Sequence, residues 1–492
     1  ADSEALDDLW RQRVKNDILS LRLAGEAGED IQQTLTKRYE GVARRVAQMD
    51  AEDVFQAFVN AYTLSVEPHT SYMSPRLSEN FDIGMRLSLQ GIGAVLRSEN
   101  EFTEVQRTVP GGPAQRSGQI RSGDRIVGVA QGRDGAMEDV VGWRLQDVVD
   151  LIRGPKDSVV RLDVLPKNEG IGGRAREVLL VRDEIKLEDK AAKSEVIDTP
   201  NGLRLGVIEV PAFYRDFAAQ AAGDSEFRST TRDVRVLLDE LLAVPVDGVI
   251  IDLRQNGGGS LSEATELTGL FIEKGPVVQV KDATGKVEVE RDPDPAQVYA
   301  GPLAVLVDRN SASASEIFAG AIQDYNRGII LGEPTYGKGT VQTLVDLGRF
   351  LRTKRDIGRL RLTMAQFFRV EGGSTQHRGV EPDIVFPTAK GATDHGERAL
   401  ENALPWASIQ PAAHPSLSAA QLGDLRKAAA RRIADNPGFQ FLVAEEEELL
   451  ELDQRKTVSL PESVRRAARD EREAPRLDRR NELRAFRGLP PL

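Results

Sequence analysis

The sequence is poor in the residues that carry most redox, metal and nucleophilic chemistry. It has no cysteine and only four histidines in 492 residues, at positions 69, 377, 395 and 414. A thiol nucleophile is therefore excluded, and no histidine stands in a context typical of a Ser-His-Asp triad or a metal motif. The absence of cysteine fits either a reducing compartment or an exported protein without disulfides. We expect no cofactor and no metal.

Aromatic residues and long apolar runs are also scarce. Aromatic residues make up 5% of the chain and hydrophobic residues 40%, which is enough for ordinary cores in roughly three to four domains. No run is long enough for a signal peptide or a transmembrane segment, and a start at Ala1 suggests processing or truncation. The net charge of −12 argues against non-specific binding of nucleic acid.

The stretch most suggestive of chemistry runs from Asn310 to Gln342, NSASASEIFAGAIQDYNRGIILGEPTYGKGTVQ. An apolar run at 303–307 predicts a buried strand, and Glu316 to Ile322 has helical character. Three serines at positions 311, 313 and 315 fall between them, so a serine is set at a helix N-terminus. Unpaired backbone amides there favour a developing negative charge, as acyl transfer requires.

Lys338 is the candidate base within this stretch. It lies between Gly337 and Gly339, and a desolvated lysine can take the proton of a serine in a Ser-Lys dyad. Other interpretations remain open on the residues alone. Ser313 and Glu316 also fit a capping box, and the glycine-flanked lysine also fits a surface turn.

A nucleotide-binding loop is a poor interpretation of the same residues. Positions 332–338 match the first seven positions of a P-loop, but Gly339 stands where the magnesium-binding hydroxyl belongs. A P-loop also opens a helix, whereas the residues from Thr340 to Val345 are rich in β-formers.

Two further regions have distinct patterns. Short β-like runs fill residues 80–167, including Gly91-Ile92-Gly93, and a helix is predicted at 144–152. Strands at 202–210 and 248–254 alternate with helices at 233–242 and 261–271, which indicates a mostly parallel α/β arrangement. The glycine run at 256–259 fits either a turn that aims backbone amides inward or a helix-initiating turn.

The stretch Asn310–Gln342 resembles the core signature of the C-terminal processing peptidases, most nearly their tail-specific branch in the bacterial periplasm. The resemblance implies that Ser313 is the nucleophile and that Lys338, 338 − 313 = 25 positions later, is the general base. It also implies that Gln342 holds the lysine. Asp324 matches an aspartate that matters for activity in the tail-specific branch, although a solvated helix-end carboxylate is the alternative.

The resemblance extends to other parts of the chain. By it, Gly258 and the amide of Ala314 form the oxyanion hole. Residues 80–167 resemble a PDZ domain, which implies that Gly91, Ile92 and Gly93 bind a peptide's C-terminal carboxylate. The segment 67–75 is expected to be a linker before the PDZ domain, with His69 structural or exposed, and residues 182–195 a charged connector. His377 is not expected to be catalytic.

The implied fold class is an α/β and α+β multidomain protein. Its expected parts are a helical N-terminal region (1–80), a PDZ domain (81–170), a mostly parallel, crotonase-like serine peptidase core (171–390) and a charged, helical C-terminal extension (391–492). The implied function is a periplasmic serine endopeptidase that captures proteins by a free, apolar, unstructured C-terminus. An adaptor lipoprotein is a candidate partner. The alternatives are a catalytically silent PDZ adaptor and a peptidase gated by its PDZ domain.

Overall fold

The computed structural model describes residues 2–169, 173–292, 294, 296–351, 355–388, 395–415 and 422–492. The chain forms two units, one made of Ala1–Pro75, Lys193–Phe213 and Val234–Leu492, the other of Arg76–Ala192 and Tyr214–Asp233. The domain boundaries predicted at 170/171 and 390/391 lie outside the described residues.

Helices form the N-terminal region, as the apolar spacing predicts. They are α1 (Ser3–Leu23), α2 (Gly28–Ala47) and α3 (Ala51–Val66). Helix α3 begins with a capping box, in which Asp50 and Asp53 each accept a hydrogen bond from the other's backbone amide at 2.9 and 3.1 Å. The segment expected to be a linker after α3 contains a short strand, β1 (Ser71–Met73).

The unit containing Arg76–Ala192 is built mainly of antiparallel strands. Its elements are α4 (Pro75–Arg86), β2 (Ser88–Gly91), β3 (Ala94–Glu99), β4 (Phe102–Thr108), α5 (Pro113–Ser117), β5 (Arg125–Gln131), β6 (Glu138–Asp139), α6 (Leu145–Ile152), β7 (Val159–Leu165), β8 (Arg176–Val181) and β9 (Asp183–Lys186). The main sheet has the order β3-β4-β5-β7-β8, with β6 on β5, and β2 pairs with β9. Val148 of α6 is buried against this sheet with Val105 and Ile126.

The elements that follow include the predicted α/β core. They are β10 (Lys193–Asp198), β11 (Arg204–Glu209), α7 (Phe217–Ala221), α8 (Thr230–Leu242), β12 (Gly248–Asp252), α9 (Leu261–Gly269), β13 (Gly275–Asp282), β14 (Val287–Asp292), β15 (Leu303–Val307), α10 (Ala314–Asp324), β16 (Ile329–Gly332), β17 (Thr340–Asp346), β18 (Arg359–Phe368) and β19 (Ile384–Val385). One sheet has the order β10-β11-β12-β15-β16-β19 and is parallel except at β10. A second, antiparallel sheet has the order β1-β18-β13-β14, with β17 on β18.

The parallel sheet sets the location of the candidate site. Its central strands are continuous apolar runs, as expected of strands covered on both faces, and Ile251 and Val305 are fully buried. Strands β12 and β15 are parallel neighbours. The glycine loop after β12 and the serine turn after β15 therefore emerge at the same carboxyl edge, where open α/β sheets bind their ligands.

The charged connector expected at 182–195 is wrong as a description of the structure. It contains β9, and β10 begins within it and pairs antiparallel with β11 along six residues. These are edge strands with alternating or exposed charged side chains, so their composition resembles that of a loop. Their pairing depends on distant partners, which local patterns do not reveal.

The C-terminal region is helical and charged, as predicted. Its helices are α11 (Leu422–Asp435), α12 (Pro437–Asp453) and α13 (Glu462–Phe486). Glu445 of α12 accepts from Arg479 of α13 at 3.1 Å, so part of the charge run joins helices rather than facing solvent. Among the described residues, no helix combines the length and apolar character needed to cross a membrane.

Candidate active site

The three serines before α10 have different surroundings. Ser311 and Ser315 are 0% exposed, and their hydroxyls donate to the carbonyls of Leu253 and Asn256 at 2.8 and 2.9 Å. Ser313 is only partly buried and has φ 56° and ψ −111°, a conformation that non-glycine residues rarely adopt. Such strain clusters at functional sites. The structure thus distinguishes Ser313 from its two neighbours in the repeat.

Hydrogen bonds of Asn256 connect the glycine loop to the serine turn. Its side-chain amide donates to the Val210 carbonyl at 2.7 Å, and its Oδ1 accepts from the Gly258 amide at 2.9 Å. Its own carbonyl accepts from the Ala312 amide at 3.0 Å. Because these bonds are buried, they hold the backbone on either side of Ser313 in one arrangement. In the sequence, Asn256 is distinguished only as the first residue of the run at 256–259.

Gly258 lies directly against the serine turn. A Cβ at this position would lie 2.8 Å from the Ala312 carbonyl oxygen, 2.9 Å from Ser313 Cβ and 3.1 Å from the Ala314 amide nitrogen. Its φ of +103° is also one that favours glycine. The structure therefore brings together Gly258, Ser313 and Ala314, which the family resemblance assigns to one site.

Lys338 is held by a side-chain network at the start of β17. Its Nζ donates to Gln342 Oε1 at 2.5 Å and to the Thr340 carbonyl at 3.1 Å. The Gln342 amide in turn donates to Thr363 Oγ1 at 3.0 Å. Lys338 precedes β17, whose register on β18 shifts between Val341 and Gln342, so the local backbone rather than simple strand alternation brings the two side chains together.

Burial lowers the pKa of Lys338 to about 8, while the carboxylates of Glu397 and Glu316 act in the opposite direction. The ammonium form is penalised because little water reaches it. A lysine in this condition holds a useful fraction of neutral amine near neutral pH, which a general base needs.

Glu316 connects the serine turn, which contains Ser313, to the lysine turn, which is Gly337-Lys338-Gly339. Its carboxylate accepts from the backbone amides of Ser313 at 2.7 Å and Lys338 at 3.0 Å. It also accepts from Thr335 Oγ1 at 2.6 Å and the Gly337 amide at 2.7 Å. Burial raises the pKa of Glu316 to about 7, against the effect of these hydrogen bonds. The capping interpretation and a functional one therefore both apply to this residue.

Asp324 is not assembled with the other predicted site residues. It ends α10, and ten residue steps from Ala314 correspond to about 15 Å along a helix. It is 4% exposed, forms an ion pair with Arg369 and accepts from the Glu371 amide at 3.4 Å. The alternative of a solvated carboxylate is therefore wrong, and the geometry is that of a buried structural charge.

The histidines stay outside this arrangement of serine and lysine. The His377 amide donates to the Gly337 carbonyl at 2.8 Å, a backbone contact, while His69 pairs with a carboxylate described below. Residues 332–338 lead from β16 into strand β17 and open no helix, as predicted against a P-loop. Within the described ranges, no group of three or more His, Cys, Asp or Glu side chains could hold a metal ion.

The other unit carries a separate groove of about 690 Å³. Its walls include Val95 of β3 and Val149 of α6, and Gly91, Ile92 and Gly93 also line it. Strand β3 is at the edge of its sheet, so it can accept an added strand. Gly93 has φ +70°, and a Cβ at this position would lie too close to Gly112. The loop therefore requires glycine there.

A strained serine turn on a parallel α/β core and a peptide-sized groove in a β-rich unit together define a multidomain hydrolase fold. Family models match the chain in four consecutive parts. They are the tail specific protease N-terminal domain (residues 1–76), the PDZ domain (80–165), peptidase family S41 (204–386) and the C-terminal domain of tail specific protease (391–492). The chain belongs to the C-terminal processing peptidases of family S41.

Individual relatives agree with this assignment. The chain is 42% identical over 480 residues to the tail-specific protease of Haemophilus influenzae, covering 96% of this chain and 66% of that protein. It is 30% identical over 340 residues to the carboxy-terminal-processing protease of Bartonella bacilliformis, covering 68% of this chain and 70% of that protein. The chain thus spans about two thirds of the length of these curated relatives.

A solved structure is also similar in sequence to one part of the chain. The PDZ domain of a carboxy-terminal protease from Vibrio cholerae, solved in complex with a peptide, is 52% identical and has a TM-score of 0.20. The match covers 20% of this chain and 100% of that one.

Proposed function

We propose that this protein is a serine endopeptidase that cuts with a dyad of Ser313 and Lys338, and that it selects substrates by a free, apolar C-terminus. The carrying observation is the Glu316 carboxylate, which accepts the amides of both Ser313 and Lys338 and so joins the two turns. A purely structural cap would need only the first of these bonds.

The proposed reaction begins with neutral Lys338. Its amine takes the hydroxyl proton of Ser313 while Oγ attacks the peptide carbonyl carbon, giving a tetrahedral oxyanion. Collapse breaks the C–N bond, and the Lys338 ammonium returns the proton to the leaving amine. A water then gives a proton to Lys338 and attacks the acyl carbonyl carbon. As the C–O bond to Ser313 breaks, the Lys338 ammonium returns that proton to Oγ, which restores the neutral amine and the free hydroxyl.

The oxyanion is proposed to meet backbone amides beside the serine. Ala314 is the first residue of α10, so its amide is among those that a helix leaves unpaired, at the positive end of the dipole. Gly258 is the second donor assigned by resemblance, and its amide donates to Asn256 Oδ1 in this structure. We infer that Ala314 supplies the main donor and that Gly258 chiefly allows the close approach.

Substrate selection is proposed to lie in the PDZ groove. A peptide that adds a strand beside β3 would place its carboxylate at the amides of Gly91–Gly93 and its apolar side chains against Val95 and Val149. Arg153 follows α6 and lies close to Gly91, with its Cγ 3.9 Å from where a Cβ would be. Its positive charge favours a free carboxylate over an amide at this end of the groove.

The remaining proposals rest on the family. We infer a periplasmic location and substrates that are proteins or peptides with unstructured ends, and an adaptor lipoprotein is a candidate partner. The negative net charge of −12 gives no support for nucleic acid as a partner.

The test compares two unfolded reporter proteins that differ only at the C-terminus. One ends in apolar residues with a free carboxylate, and the other ends in the same residues with a carboxamide. We expect cleavage of the first, much slower cleavage of the second, and none by Ser313→Ala, which should still bind the free tail. Ser459→Ala replaces an exposed serine in a loop and is the matched control, with wild-type activity expected.

Two results would contradict the proposal. Cleavage by Ser313→Ala at the wild-type rate would remove Ser313 as the nucleophile. Tight binding of the free tail by the wild-type protein with no cleavage of either reporter would favour the alternative of a catalytically silent PDZ adaptor.

A further inference from the structure

A buried, hydrogen-bonded pair of His69 and Glu397 lies beside the lysine turn and is not part of the dyad. His69 Nε2 lies 2.8 Å from Glu397 Oε2, and the Glu397 side chain is 0% exposed. His69 follows α3, within the part that matches the tail specific protease N-terminal domain. Glu397 lies in the part that matches the C-terminal domain. Residues 328 positions apart therefore meet in one unit.

This pair is connected to the backbone that carries Lys338. Gln376 donates from Nε2 to Glu397 Oε1 at 2.9 Å, and its Oε1 accepts from the Gly339 amide at 2.8 Å. The Glu397 amide also donates to the Tyr336 carbonyl at 3.0 Å. Contacts at 336 and 339 therefore flank Lys338 on both sides. Gln376 is 0% exposed, so water does not compete for these bonds.

The pair also contributes to the electrostatic environment of the lysine. Glu397, Glu316 and Glu67 raise the pKa of Lys338 and Arg361 lowers it, while burial lowers it most. Glu67 lies two residues before His69, and within the described part of the chain both of its buried carboxylate oxygens lack a hydrogen-bond partner. Negative charge from both ends of the chain thus surrounds the lysine turn.

We propose that Glu397 and His69 are positioning residues for Lys338, through which the segments flanking the PDZ domain and the peptidase core hold the catalytic lysine in place. The Glu397 carboxylate anchors Gln376, Gln376 holds the Gly339 amide, and the Glu397 charge sets how readily the lysine loses its proton. This inference rests on the proposed dyad. A buried polar pair is weak support for stability in itself, whereas its contacts with the backbone on both sides of Lys338 favour a role in positioning.

The test is the pH profile of kcat/KM for Glu397→Gln. Gln keeps the shape of Glu397 and one accepting oxygen but removes its charge, so the pKa of Lys338 should fall. Since the neutral amine is the active form, the acid limb should move from near pH 8 in the wild type to lower pH, by about one pH unit. The matched control is Glu401→Gln, four positions away and exposed, which should leave the profile unchanged.

A second variant tests the mechanical connection separately. Gln376→Met removes both hydrogen bonds and keeps the Glu397 carboxylate, so kcat should fall about tenfold or more without a shift of the acid limb. Thermal melting establishes that each variant is folded. If Glu397→Gln does not fold, Gln376→Met carries the test alone.

The outcomes separate this inference from the proposed function. Wild-type kcat in folded Gln376→Met, or an unshifted acid limb in folded Glu397→Gln, would overturn the positioning role while Lys338→Met remains inactive. An active Lys338→Met would instead overturn the dyad itself, whatever the other two variants do.

Discussion

The serine turn and the lysine turn reach the same site but are built differently. The serine turn is held by neighbours within the parallel sheet, since Leu253 and Asn256 accept the hydroxyls of the two serines beside Ser313. The lysine turn lies between a parallel and an antiparallel strand and is held by side chains from far along the chain. The proposed nucleophile therefore follows from the topology of one sheet, whereas the proposed base depends on several segments that lie far apart in the sequence.

The two turns should therefore respond differently to substitution. The serine turn stores backbone strain in a single residue, and the strand-to-helix transition over-determines its conformation. The lysine turn stores little strain but depends on buried polar groups that must all be satisfied, such as Glu316. We expect substitutions near the serine to act through sterics and substitutions near the lysine to act through protonation and orientation.

The largest expected effect is that of Lys338→Met, which breaks the lysine half alone. Methionine fills similar volume without an amine, so the fold should persist while the general base is lost. We expect kcat to fall by about 10³- to 10⁴-fold, measured by cleavage of the free-tail reporter. Lys286→Met, at an exposed hairpin lysine, is the control. Turnover of Lys338→Met within tenfold of wild type would show that another group takes the proton.

A smaller loss is expected when the serine half is broken sterically by Gly258→Ala. The added Cβ would lie 2.8 Å from the Ala312 carbonyl oxygen in a φ region unfavourable to alanine, so the turn must shift. We expect kcat to fall by about 10²- to 10³-fold with little change in tail binding. Gly257→Ala is a close control, because a Cβ there meets nothing within 4 Å. Equal activity of the two variants would contradict the close-approach argument.

The smallest effect on activity is expected for Asp324→Asn, which belongs to neither turn. Its carboxylate pairs with Arg369 at the far end of α10, so the charge supports folding rather than chemistry. We expect the free energy of unfolding to fall by about 2 kcal/mol in urea titrations, with kcat/KM unchanged well below the melting temperature. Asp435→Asn, at the exposed end of α11, should alter neither quantity. A large loss of kcat in folded Asp324→Asn would return this residue to the active site.

Local sequence patterns predicted most helices and strands, because these depend on residues close to one another in the chain. The strand at 303–307 was predicted with its observed bounds, since a continuous apolar run between polar turns has few other uses. The helix after Ser313 was predicted in the same way from the helical character of Glu316 to Ile322. Strands β1, β9 and β10 were missed, because short or charged edge strands are specified by their partners rather than by their own composition.

The residues of the candidate site show the same division between what the sequence predicted and what depends on distant contacts. Spacing and family resemblance brought forward Ser313, Lys338, Gln342 and Gly258, and the structure places the last of these against the serine turn and joins Lys338 to Gln342. Asp324 was grouped with them by the resemblance alone, which carries a residue over by its place in a motif and does not show its surroundings. Glu316 was recognised only as a cap, since its second set of partners lies 19 to 22 residues away.

The sequence by itself determined the apolar strands, the capped helices, the glycine positions that need positive φ, and the chemical groups available for acyl transfer. These depend on residues close to one another, and on side-chain chemistry that no fold can change. Tertiary structure alone decided which serine is only partly buried, how deeply Lys338 is buried, and that Glu397 and His69 meet beside it. Burial and long-range pairing set protonation and orientation, because desolvation and hydrogen bonding depend on the groups that surround a side chain in space.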